Sequence, residues 1–371
     1  MDNQEQTGTA HGTGRSARLR VGLLTDPGAA ADLAADLALD LPAVLAIEVH
    51  DDTEWDVTTE VHQIPLDENG LVPMESLARE HRDRQWDVMI VLTDLPRRVG
   101  TRPIATLAIS RVNSGLVSLP GLGAVLVRRR AQRAVVHLVQ TLTGHEPHAE
   151  PGTTRPPHTA WFSPLRRVHD DDNHTHLALV GLRGRLRLLA GMVRDNRPWR
   201  LVPHLSSATA AAAATGAYAI ITTSFWTMSA SLSPLRLLLI NLVAILAMAT
   251  WLIAYNHLWD RPEDTDARVK AVLYNAATAI TIIIGVACMY MLLYIAGLLA
   301  ALTLIDPGYF AAVLHRSASF PDYLKLVWLG SSVGIVAGAL GSSLESEQAV
   351  RNATYGRRER ERRRSRVNAR A

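Results

Sequence analysis

Three clusters in the first 145 residues carry side chains able to do chemistry. Thr25-Asp26-Pro27 and Thr93-Asp94-Leu95-Pro96 repeat one pattern, a strand-like run closed by a Thr-Asp turn. If the two strands lie parallel and adjacent, both carboxylates reach the same sheet edge, where α/β folds bind ligands. Arg97 and Arg98 beside the second turn would then offer guanidinium groups to an anion. The same residue types also cap helices and shape turns, and that plainer role is the preferred reading. The second cluster is Ser118-Leu119-Pro120-Gly121-Leu122-Gly123, between a strand and a helix. Gly121 and Gly123 could let backbone N–H groups approach a phosphate. Position 126 is Leu, where a GxGxxG fingerprint needs its third glycine, so close helix–strand packing explains the pair more simply.

The third cluster runs from His137 to Gly144 on a helix and echoes the HExxHxxG spacing of zinc metalloproteases. Leu138 stands where the general-base Glu belongs, and Thr141 where the second ligand belongs. Hydrolysis at zinc needs both, so the echo is read as coincidence. His148, His158, His169, His174 and His176 fit no ligand spacing and read as part of a polar linker. The sole cysteine, Cys288, lies in an apolar stretch and allows no disulfide framework or cysteine zinc site within the chain. The candidate ligand residues are therefore Asp26, Asp94, Arg97, Arg98, Gly121 and Gly123. No catalytic residue, metal or cofactor is assigned.

The elements that must position these residues alternate between strand and helix. Strands are expected at 18–25, 54–62, 87–92, 103–110 and 115–119. Helices are expected at 29–50, 73–84 and 121–143. That order predicts an α/β domain over 18–145. Residues 1–17 are polar, without an apolar core, and read as a disordered N-terminus rather than a signal peptide. Residues 146–176 read as the linker. Over 177–203, Leu179, Leu182, Leu186, Leu189 and Val193 recur at helical spacing among arginines, which predicts a basic amphipathic helix at an anionic lipid surface.

The 371 residues average a mean hydropathy of only +0.08, but the average hides two populations. Four apolar stretches, 206–227, 235–255, 271–304 and 323–343, lack charge in their central turns. About 20 such residues cross a hydrocarbon core of roughly 30 Å. The expectation is an α/β N-terminal domain joined to an all-α transmembrane four-helix bundle. The third stretch, about 51 Å long as one helix, must tilt or project, and Asp306-Pro307-Gly308 ends it. Arginine before the first stretch, between the second and third, and in the tail 344–371 predicts that both termini are cytoplasmic. Trp226, Tyr323 and Trp328 are expected at the outer interface, and Trp251, Tyr255, Trp259 and Tyr274 at the inner one. Gly330, Gly334 and Gly338 repeat every four residues and predict close helix packing, with Ala210, Ala214 and Ala217 as the facing stripe. The basic tail suits anionic headgroups better than nucleic acid.

The runs VGLLTDPG, WDVMIVLTDLP, LVSLPGLGAV, AVLYNAATAITIIIGV and GALGSSLESEQAVRNATYGRR together resemble a family of uncharacterised actinobacterial multi-pass membrane proteins. The resemblance covers nearly everything after residue 18 and implies no activity. The expected function is a non-catalytic, membrane-tethered module that binds a ligand or partner, alone or as a homo-oligomer. A membrane-anchored hydrolase acting at the sheet edge and a small-solute permease are the alternatives.

Overall fold

The computed structural model describes residues 18–49, 53–67, 71–99, 102–144, 165–170, 174–179, 181–260 and 265–342. The expectations for 1–17, His148, His158 and the tail 344–371 fall outside these described residues. The chain divides into two compact units, Met1–Gly181 and Leu182–Ala371.

The first unit is built on one mixed sheet. Its strands are β1 (Arg18–Thr25), β2 (Glu54–Val61), β3 (Val88–Thr93), β4 (Arg97–Val99), β5 (Arg102–Ile109), β6 (Ser114–Ser118), β7 (Leu165–Asp170) and β8 (His174–Leu179). The spatial order is β2-β1-β3-β6-β5-β8-β7, with β4 paired to β5. The four strands from β2 to β6 run parallel; β5, β8 and β7 continue antiparallel. The helices are α1 (Ala29–Glu48), α2 (Met74–Glu80) and α3 (Val127–Thr143).

The strand period of two sorts side chains between the faces. Val88, Ile90 and Leu92 of β3 pack under α1 and α3. Met89 and Val91, alternating with them, pack under α2. A strand apolar from Val88 to Leu92 and buried at every position, as β3 is, belongs to a sheet buried on both faces. Each such leucine or isoleucine contributes about 1.5–3 kcal/mol through burial.

Two expected boundaries move. α3 starts at Val127, because Leu119–Leu122 form a short 3-10 turn and Gly123 and Leu126 have φ of 87° and 55°, outside the helical range. The polar linker assigned to 146–176 is corrected over its second half. Residues 165–170 and 174–179 form an antiparallel hairpin, and β8 pairs with β5 from Ile104↔Ala178 to Ile109↔His174. The expected amphipathic helix over 177–203 therefore begins later. An exposed edge strand invites pairing, and the hairpin satisfies the edge of β5.

The second unit is helical. It contains α4 (Gly181–Asp195), α5 (Leu201–His204), α6 (Ser206–Ile221), α7 (Thr223–Ser231), α8 (Pro234–Tyr255), α9 (Thr265–Leu304), α10 (Pro307–Leu314) and α11 (Phe320–Gly341). Among the described residues three helices are long and apolar enough to cross a membrane: Pro234–Tyr255, Ala271–Leu304 within α9, and Phe320–Gly341. The stretch expected as the first of four spans, 206–227, is not one helix. It is broken at Thr222, whose backbone is extended at φ −101° and ψ 116°. Asp306 ends α9 and caps α10, accepting from the Tyr309 N–H at 2.9 Å.

The start of α11 is fixed by charge. Asp322 accepts from the Ser319 N–H and Oγ, each at 2.8 Å, closing a capping box. It also accepts from Arg316 Nη1 at 2.9 Å. That carboxylate holds the Arg316 guanidinium above its ordinary value, mainly through the hydrogen bond.

Two of the aromatics expected at the outer interface, Trp226 and Tyr323, are packed against neighbouring helices. Trp226 is buried, donates from Nε1 to the Ile220 carbonyl at 2.7 Å and meets the Phe310 ring edge-on at 5.1 Å. Tyr323 is buried beside it and donates to the Ile305 carbonyl at 3.1 Å. Tyr274, expected at the inner interface, is also buried. Trp251, Tyr255 and Trp259 are exposed. The aromatic signal is ambiguous because Trp and Tyr serve equally as core packing with a polar tip.

Candidate functional site

The chain crosses from one side of β1 to the other between β2 and β3, so the crevice outside β1 and β3 is the topological switch point of the parallel strands. Asp26 and Asp94 stand there, because β1 and β3 are parallel neighbours. β1 pairs with β3 at Thr25↔Leu92, and β3 with β6 at Thr93↔Ser118, so all three turns share one edge. The turns converge, and their own side chains close the crevice. Asp26 has no exposed surface. Its Oδ2 accepts from Thr93 Oγ1 at 2.7 Å, and its Oδ1 accepts from the Ile64 N–H at 3.1 Å. Thr93 Oγ1 accepts in turn from the Leu95 N–H at 3.2 Å, and Ser118 Oγ donates to the Leu95 carbonyl at 2.9 Å. Asp26 thus ties the end of β1 to the turn after β3 and to the segment after β2.

This arrangement suits a structural carboxylate. A general base must reach a substrate proton at about 2.6–3.2 Å, and both oxygens of Asp26 already accept from the protein. Asp94 and Arg97 are buried as well, at 6% and 4% exposure. Arg98 lies in β4, and its side chain is outside the described residues. The two glycines have separate reasons. A Cβ on Gly121 would lie 2.8 Å from Ala105 Cα and 2.9 Å from the Ile104 carbonyl, so the turn needs glycine to seat against β5. Gly123 sits at positive φ.

One contact escapes sequence reading. The Trp86 indole lies over Gly22 of β1, where a Cβ would come within 2.0 Å of the ring. The indole stacks on His81 at 5.9 Å and donates from Nε1 to Thr58 Oγ1 at 2.9 Å. A lone glycine inside a strand is the only signal that could have marked it. Among the described residues no group of three or more His, Cys, Asp or Glu is placed to hold a metal. In the helix from His137, Thr141 Oγ1 donates to the His137 carbonyl at 2.8 Å, an ordinary back-bond.

In the second unit the predicted glycine seam exists. A Cβ on Gly334 would lie 2.6 Å from the Ala212 carbonyl oxygen, and one on Gly338 would lie 2.9 Å from that of Ala208. Gly330 faces Ala219. The partner is α6, as expected, but its facing stripe is Ala208, Ala212 and Ala219. Ala210, Ala214 and Ala217 are exposed, and Ala217 lines the crevice beside the seam. The helix is alanine-rich all round, so composition could not pick the face. Beside the seam, α6, α9 and α11 leave a crevice of about 190 Å³ lined by residues such as Ala213, Gly216, Ala296, Gly297 and Ser331. That is smaller than the roughly 300–1,000 Å³ of most ligand pockets. No protein-family model, curated protein or solved structure matches this chain.

Proposed function

We propose that this chain is a multi-pass membrane protein whose helical unit anchors a non-catalytic α/β module that binds a partner or ligand. The observation that carries the anchoring is where the apolar surface lies. Leu235, Leu239, Val243 and Leu246 of α8, and Met291, Ile295, Leu299 and Leu302 of α9, are all exposed at helical spacing. Water does not tolerate contiguous apolar patches of that extent, and a hydrocarbon solvent does. In this reading α6 and α7 together make a fourth crossing, broken at Thr222, and both termini are cytoplasmic. The membrane is the inner, plasma membrane. α4 lies at the anionic headgroups, with Leu182 and Leu186 exposed among Arg183 and Arg185. Kinship with the actinobacterial membrane proteins it resembles belongs to the same reading.

The committed oxygens of Asp26 favour a binding module over a hydrolase. The small apolar lining of the crevice favours packing over conduction, since solute paths need polar groups. Alkaline extraction of membranes from cells expressing the full chain tests the anchor, and reporters fused at each end test the topology. The chain is expected in the pellet with both reporters inside. Release by alkali alone, or reporters on opposite sides, overturns the proposal.

A further inference from the structure

The first unit concentrates its exposed apolar side chains on one layer. Among its described residues the exposed large hydrophobics are Leu39, Ile47, Val61, Leu71, Val125 and Leu126. Leu39 and Ile47 project from α1 at 81% and 82% exposure, and Val125 and Leu126 immediately precede α3. α1 and α3 are neighbours in that layer: Gln140 Nε2 donates to the Glu48 carbonyl at 2.8 Å, and Arg128 pairs with Asp40. Charge on the layer is segregated. α1 carries Asp32, Asp36 and Asp40 at four-residue spacing, and α3 opens with Arg128, Arg129, Arg130 and Arg133. Asp36 and Arg129 are exposed and make no ion pair among the described residues.

We propose that this layer is a self-association surface, with α1 of one copy meeting α3 of a second. A surface divided into an acidic half and a basic half, each with exposed apolar residues, is complementary to itself under a two-fold rotation. Asp36 of each copy then faces Arg129 of the other, giving two such contacts. A purely anionic partner is repelled by α1, and a purely cationic one by α3. A second copy satisfies both halves and covers Leu39 and Ile47 together with Val125 and Leu126.

Two helices of about 30 Å length and about 10 Å diameter offer roughly 600 Å² per copy. That is below the roughly 800 Å² per partner of stable complexes. Association is therefore weak between freely diffusing chains and strong when both copies share a bilayer, through the effective concentration that confinement gives. This last step rests on the membrane reading above.

The test uses the full chain, tagged at its C-terminus with donor or acceptor dyes and co-reconstituted in phosphatidylcholine vesicles. Energy transfer above the level set by dilution is expected for the natural sequence. D36R or R129D alone is expected to weaken association by about tenfold, since each introduces two like-charge contacts. Mixing D36R chains with R129D chains restores it, because the mixed pair regains both opposite-charge contacts. Transfer at the dilution level, insensitivity to either swap, or failure of the mixture to recover overturns the proposal. So does a dependence on phosphatidylglycerol content that falls with R129D and rises with D36R, which marks a lipid dock. If the chain stays out of the vesicles, the membrane reading fails instead. Sedimentation of the soluble chain, with the same swaps and mixture, then decides self-association.

Discussion

Two threonines end adjacent parallel strands and differ in what their hydroxyls do. Thr93 Oγ1 joins Asp26 to Leu95, whereas Thr25 Oγ1 is buried without a hydrogen-bond partner among the described residues. Thr93→Val is therefore expected to cost about 1–3 kcal/mol by stranding two buried groups, while Thr25→Val is neutral or slightly stabilising. Chemical denaturation of the full chain in detergent, followed by far-ultraviolet circular dichroism, separates the two. Asp26→Ala belongs with the first class. It removes the acceptor of two bonds in a fully buried position, and a loss of about 2–4 kcal/mol is expected. The sequence marks Asp26 as special but not why. A Thr-Asp turn reads alike whether its carboxylate faces a substrate or the protein's own N–H groups, and the register of β1 against β3 decides. Gly22→Ala places a methyl in the Trp86 indole and is expected to displace the ring, with about 1–3 kcal/mol lost. A red shift in tryptophan emission reports the movement.

At the scale of elements, the α6–α11 seam turns on backbone approach. Gly334→Val pushes a side chain into the Ala212 carbonyl, and nothing flexible lies there to yield. The helices must separate, and a fall in detergent-solution melting temperature of several degrees is expected. Gly216→Ala is the control, since its Cβ would meet only the Gly330 carbonyl oxygen at 3.9 Å. The every-fourth-residue glycine pattern predicted this seam because small residues at that spacing have few other uses in an apolar helix. The break at Thr222 was not legible. No proline precedes it, and its extended backbone is set by how α7 packs Trp226 against Phe310 and Tyr323. The hairpin of β7 and β8 was equally hidden, because LRRVHD and HTHLAL carry too many polar residues to read as strands. Their partner β5 supplies the pairing that their composition does not suggest.

For the whole molecule, the α/β unit extends to Gly181 rather than stopping at 145. A chain truncated after residue 145 exposes the edge of β5 along Ile104–Ile109, while one truncated after 181 keeps it paired. The first is expected to aggregate and the second to run as a defined species on size exclusion. Equal behaviour of the two would mean that the hairpin adds nothing to the sheet.

Sequence alone determined the division of the chain into a charged α/β half and an apolar helical half, along with most element positions and the glycine seam. Those features are set by local periodicity and by the solvent each segment can tolerate. Tertiary structure decided what the candidate site is. Whether Asp26, Asp94 and Arg97 open to a ligand or are buried depends on which strands are neighbours, and on whether the segment after β2 folds over the switch point. Strand order and loop placement arise from contacts distant in sequence, so no local pattern encodes them.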